Sequence, residues 1–291
     1  MKKKNKKPLS VKVLPYVLLS PIYLSICIFS FYPFGKTIVS SFSFTDELGN
    51  WIGWAGTTFW KMMFGSESFI KMLKTTLIFA GMNFVMTVGV AMVLSLLSVK
   101  RGKFSRLYQT LFALPMAIAS ATASIVWKFI FNSEGGLLNG WLGTNINWLT
   151  NTDTALWMVA IVTSWCHMAH TYLLLLAGFR GVSEDVQEAA IVDGAGGFTR
   201  AVRIMIPMAS PQIFYVVFLN ILMALKTFTQ INLMTAGGPA GATTTLMYGI
   251  YMRILKGEYE YGCCLSIIMF LVIFLFTRIQ FLFEKKTVHY E

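Results

Sequence analysis

Charge is scarce in this 291-residue chain: 13% of residues are Asp, Glu, Lys or Arg and 56% are apolar, where soluble domains carry about a quarter charged residues. That shortage excludes a soluble globular protein. Acidic residues are the scarcer kind, 13 against 24 Lys and Arg. The basic excess sits in short segments beside apolar runs, so it reads as a guide to membrane orientation and no nucleic acid is expected as a partner. Cysteine is confined to Cys27, Cys166, Cys263 and Cys264, all within apolar segments and without metal-ligand spacing; they read as small hydrophobes. His167 and His170 share one helical face, but two histidines without a carboxylate favour packing or a polar patch over a metal site. No nucleophile lies beside a base, and there is no Gly-x-x-x-x-Gly-Lys-Ser/Thr loop. The chain is therefore expected to be no enzyme, to hold no cofactor, and to cradle no ATP by itself. Neither an internal repeat nor an inverted pair of broken helices is legible.

Long apolar runs are what the chain has instead. At about 20 residues per crossing, six spans are expected, near 13–38, 70–98, 105–131, 155–179, 205–234 and 261–283. The first follows Lys2, Lys3, Lys4, Lys6 and Lys7 and is too long for the apolar region of a signal peptide, so it reads as an uncleaved span. An even number of spans puts both termini on one side. Sixteen of the 24 basic residues fall before span one, in Lys100–Arg106, in Arg180–Arg203 and from Arg278 on, whereas residues 132–154 contain none. The positive-inside rule then places both termini in the cytoplasm. The expected layout is a basic terminus over 1–12, one membrane domain over 13–283 and a tail over 284–291. Trp51, Trp54, Trp60, Trp141 and Trp148 lie in the outer segments, as an aromatic belt against membrane lipid or as a docking surface. Pro33, Pro115, Pro207 and Pro211 fall in or at the ends of spans and predict kinks.

The most polar interruption runs from Gly181 to Pro207. Ser183 is a suitable N-cap, Glu184 and Asp185 suit the positive end of a helix dipole, and Glu188, Ala189 and Ala190 favour helix. Asp193 and Gly194, with Gly196 and Gly197 beyond, supply the stop and a sharp turn. A second short helical piece follows at Arg200 and Arg203, and Pro207 opens the next apolar run. The product is an elbow of two short helices lying on the membrane surface.

The spacing of Glu188-Ala189-Ala190, Gly194, Ile204 and Pro207 resembles the EAA loop of permease subunits of binding-protein-dependent ABC importers. The likeness extends from about Pro15 to Tyr290, through Tyr32-Pro33, Leu114-Pro115, Gly136-Leu137-Leu138-Asn139, Asn147-Trp148-Leu149 and Gly237-Gly238-Pro239. Short matches at Tyr108-Gln109-Thr110-Leu111 and Val288-His289-Tyr290 make it most similar to the first permease of the sugar and glycerol-3-phosphate branch. Cys166 and Thr229 depart from the basic and acidic residues that many relatives carry there. The resemblance implies an all-α type-1 permease fold of six transmembrane helices in the bacterial plasma membrane. It also implies a second permease, two ATPase subunits that bind ATP and Mg, and an extracytoplasmic solute-binding protein. Glu188, Ala189, Ala190, Asp193, Gly194 and Pro207 would then form the coupling surface for an ATPase, with Glu188 paired to a basic residue. A stand-alone secondary transporter and a membrane-embedded enzyme are the rival readings.

Lys226 is the ionisable residue read as lying deep in span five, where a lysine costs roughly 2.5–3.5 kcal/mol on insertion scales. A phosphate or hydroxyl-rich solute would compensate it, as would snorkelling or a partner residue. Asn220, Thr227, Gln230 and Asn232 on the same span, with His167 and His170 on span four, complete the expected solute path.

Overall fold

The computed structural model describes residues 9–46, 49–100, 102 and 105–287. The N-terminal lysines up to Lys7, Arg101, Lys103 and the tail Val288-His289-Tyr290 lie outside the described residues. The chain is helical, as expected. Among the described residues, five helices are long and apolar enough to cross a membrane: Val13–Ser40, Glu67–Ser98, Ala155–Arg180, Ser210–Met234 and Tyr259–Glu284. The sixth span, third in order, is not the continuous helix the sequence suggests. It consists of Ser105–Ala117 and Ser120–Ile130, bent by 98°. Pro115 tightens Leu114–Ala117 into a 3₁₀ turn, and Ala119 is extended at φ −61° and ψ 136°, so the helix restarts in a new direction.

Span five is likewise interrupted. Its first half, Ser210–Leu225, ends at Lys226, and the helix resumes at Thr229–Met234. Lys226 therefore caps a half-helix rather than standing inside one, a correction to its expected position. Spans three and five thus both carry breaks that the apolar runs conceal.

The contacts divide the chain into two compact units, one from the residues up to Gly65 with Arg253–Ile267, the other from Ser66–Met252 with Ile268 onward. In the first, every residue from Val13 to Lys36 is exposed. A two-stranded antiparallel hairpin follows, Ser43–Thr45 against Trp51–Trp54, with Ser43 opposite Trp54. Its edge is anchored where the Thr45 N–H donates to Glu260 Oε1 at 2.7 Å. Arg253 pairs with Glu258 and lies 4.2 Å from the centre of the Tyr261 ring.

In the second unit, spans two, four and five pack around two apolar clusters. Phe79, Phe131, Val159, Val162 and Ile231 form one. Tyr172, Leu175, Phe179, Met205 and Val216 form the other, toward the elbow. Buried polar side chains bond across the helices, as an apolar solvent demands. Asn83 Nδ2 donates to Ser164 Oγ at 3.1 Å, and Thr171 Oγ1 donates to Asn220 Oδ1 at 3.1 Å. These pairs join span four to spans two and five.

Candidate functional site: the elbow and the break in span five

The elbow helix runs from Glu184 to Val192. Gly194 follows in the left-handed region at φ +80°. The Ala195 N–H donates to the Ala190 carbonyl at 2.9 Å and the Gly194 N–H to the Ile191 carbonyl at 3.0 Å, the hydrogen-bond pair of a Schellman ending. The stop read from the glycines is thus realised. The start differs: Ser183 occupies the N-cap position, but its hydroxyl makes no capping bond. Gln187 Nε2 instead reaches back to the Val182 carbonyl at 3.2 Å, and Val182 is buried.

Of the expected coupling residues, Glu188, Ala189, Asp193 and Gly194 are exposed on this elbow, whereas Ala190 faces inward and is 8% exposed. The sequence reading missed the apolar side chains beside them. Val192 is 87% and Phe198 83% exposed, and Ile191 is also open. All three lie in the one short stretch 191–198. Beyond them the chain is broken into short pieces: the helix Gly197–Arg200, a π-helical turn Ala201–Met205, and one turn Ile206–Met208 that holds the half-buried Pro207.

The elbow is tied closely to the spans it joins. Arg180, in the last turn of span four, donates through Nη2 to the Ser98 carbonyl at the end of span two, at 3.1 Å. Two residues earlier, Gly178 lies against Gln212 of span five. A Cβ on Gly178 would come within 2.6 Å of Gln212 Cγ and 2.7 Å of its Cβ, so only glycine fits this crossing.

At the span five break, a cavity of about 420 Å³ is lined by Ser120, His167, Lys226, Thr227, Thr229 and Gln230 among others. Four of the expected path residues therefore meet: Lys226, Thr227, Gln230 and His167. The His167 Nδ1 is buried without a partner in the chain. Asn220, Asn232 and His170 are not among the lining residues. Asn220 is buried, bonded to Thr171 and to the Val216 carbonyl, so it fastens span five to span four. Six residues of helix turn through about 600°, which puts Asn220 some 120° away from Lys226. Ser120 was missed, because the bend that brings it here is not visible in the apolar run. Among the described residues, no three His, Cys, Asp or Glu side chains gather as a metal site.

At the opposite end of the unit, the loop after span three closes on Asn139. Its Oδ1 accepts from Trp148 Nε1 at 2.7 Å, Thr144 Oγ1 at 3.1 Å and the Ile146 N–H at 3.3 Å, and its Nδ2 donates to the Ile146 carbonyl at 3.0 Å. Trp148 is thus held inward rather than standing as a belt residue, unlike Trp141, which is 88% exposed.

The chain has known counterparts. The sn-glycerol-3-phosphate transport system permease protein UgpA of Yersinia enterocolitica is 32% identical over 289 residues, covering 96% of each chain. The protein of the same name from Agrobacterium fabrum is 32% identical over 286 residues, covering 96% of this chain and 97% of its own. Among solved structures, a bacterial alginate ABC transporter in complex with alginate pentasaccharide-bound periplasmic protein superimposes with a TM-score of 0.83 at 20% identity, over 96% of this chain and 97% of its own. That likeness is one of fold. The family model of the binding-protein-dependent transport system inner membrane component matches residues 86–289, a stretch that holds both the elbow and the span five break. The chain belongs to that family and is a membrane permease component of an ABC importer.

Proposed function

We propose that the elbow is the surface on which a cytoplasmic ATPase pulls, and that the cavity at Lys226 is a station for a carbohydrate-type or polyol-phosphate solute crossing the membrane. The carrying observation is the elbow itself: a helix closed by its own hydrogen bonds that still leaves Val192 and Phe198 in the open. The basic residues of Arg180–Arg203 favour the cytoplasm for this surface, and with it both termini. Two ATPase subunits would bind ATP and Mg, while Glu188, Ala189, Asp193 and Gly194 of this chain meet one of them. Pro207 and the buried Ala190 would hold the elbow in shape. A second permease is the natural cover for span one, exposed from Val13 to Lys36.

Driving a bundle from 1:99 to 99:1 between two states takes about 5.5 kcal/mol of differential binding, so the grip must be firm. Glu188 supplies a charge for it; truncating one member of a desolvated pair costs roughly 2–5 kcal/mol. At the break, Lys226 offers a cation and Ser120, Thr227 and Gln230 offer hydrogen-bonding groups. That set suits a phosphate or a hydroxyl-rich solute, and the relatives named for sn-glycerol-3-phosphate support it.

Gly194→Val and Glu188→Lys should leave the protein in the membrane and abolish co-purification of the ATPase. At Gly194 a Cβ meets no atom within 4 Å, so the harm comes from the left-handed backbone, at about 1–2 kcal/mol or more for a branched residue. Unchanged co-purification and uptake would refute the coupling role. Solute movement by the purified chain alone, driven by an ion gradient, would instead establish a secondary transporter.

A further inference from the structure

We propose that a second cavity, beside Lys128, is a separate solute subsite that takes the anionic group of a hydroxylated solute at the other end of the same two half-helices. The proposal rests on reading Lys226 as a solute station and adds a second one in series. The cavity has a volume of about 690 Å³, inside the range of roughly 300–1,000 Å³ typical of small-ligand sites. Lys128, Asn132, Asn147, Thr150 and Thr235 line it with polar groups, and Phe129 and Trp148 provide aromatic walls.

The Lys128 head is positioned rather than free to roam. Lys128 stands in the last turn of the helix Ser120–Ile130, and its Nζ donates to the Leu233 carbonyl at 3.1 Å. An ammonium has three donors, so two remain to meet a ligand. No Asp or Glu lines the cavity, and the exposed Lys128 supplies its one cationic group. Trp148 is fixed by its bond to Asn139, which presents a rigid ring wall. A cation, two amides, the Thr150 hydroxyl and an apolar wall fit a small molecule with an acidic group at one end and a polyol or sugar carbon skeleton at the other.

The two cavities share their framework. Helix Ser120–Ile130 packs along helix Thr229–Met234. Ser120 and Gln230 line the cavity at Lys226, whereas Lys128, Leu233 and Thr235 line the other. From Ser120 to Lys128 the helix rises about 12 Å, so the two lysine-lined cavities border opposite ends of one helix.

The test is equilibrium binding of radiolabelled sn-glycerol 3-phosphate to the intact permease and ATPase complex in nanodiscs, without binding protein. Glycerol serves as the uncharged control, with galacturonate and inorganic phosphate as acidic competitors. Two saturable sites are expected, neither taking glycerol. Lys128→Met should weaken one at least tenfold, Lys226→Met the other, and Lys128→Arg should keep both. Asn147→Leu, which leaves the contact to Leu233 intact, should weaken the same site as Lys128→Met. Wild-type stoichiometry and affinity in Lys128→Met and Asn147→Leu would overturn the proposal, as would the failure of all three acidic probes to bind the wild type. Failure of the permease reading shows separately, as absence of the ATPase from the purified complex.

Discussion

The elbow at 184–200 and the loop at 132–154 are both polar excursions between spans, yet they are finished in opposite ways. The loop satisfies itself. Asn139 gathers Trp148, Thr144 and Ile146, and Gly136 lets the chain double back so closely that a Cβ there would stand 2.2 Å from the Asn132 carbonyl oxygen. The elbow is closed by the backbone bonds at Gly194 and Ala195 and by the Gln187 side chain on the Val182 carbonyl, and leaves Ile191, Val192 and Phe198 exposed. The loop also leaves Trp141 outward, so what sets the two apart is the side-chain network that fixes Trp148 as a wall.

The comparison can be broken at its strongest point first. Asn139→Ala strips the acceptor from one hydroxyl and two N–H groups, at a cost of about 2–3 kcal/mol, and should be read as faster proteolysis of the 132–154 loop and a lower unfolding temperature in detergent. A loop as resistant as wild type would mean that Asn139 does not organise it. Val192→Ser should do the reverse: stability within about 0.5 kcal/mol of wild type, but roughly tenfold weaker ATPase association, the mark of an interface anchor worth about 1.4 kcal/mol. Retained association would place the grip elsewhere on the elbow. The smallest effect belongs to Ser183→Ala. Losing an N-cap serine ordinarily costs about 1 kcal/mol, but because this hydroxyl makes no capping bond the loss should stay within a few tenths, measured as elbow protection in hydrogen exchange.

The sequence displays the elbow because its signals are local. Gly194 must be glycine for a left-handed turn, and Glu184 and Asp185 suit a helix start whatever surrounds them. Spans were visible for the same reason, as uninterrupted apolar runs. The breaks were not. Pro115 announces a kink, but nothing in Ile118-Ala119 announces a bend of 98°. No Gly or Pro lies between Leu225 and Thr229, where span five comes apart. Packing imposes those interruptions, and packing also decides which way a polar residue in a span faces. Asn220 and Lys226 look equivalent in a list of polar residues; one binds Thr171 and the other borders a cavity.

Gly178 and Gln212 carry one more lesson. With no room for even a methyl group between them, the ends of spans four and five nearest the elbow have no slack, and close-packed interiors transmit displacement instead of absorbing it. The crossing is therefore stiff. The gap after Leu225 is the first place along span five where such a stroke could turn into rotation, and the lysine at that gap would ride on it like the pointer of a gauge.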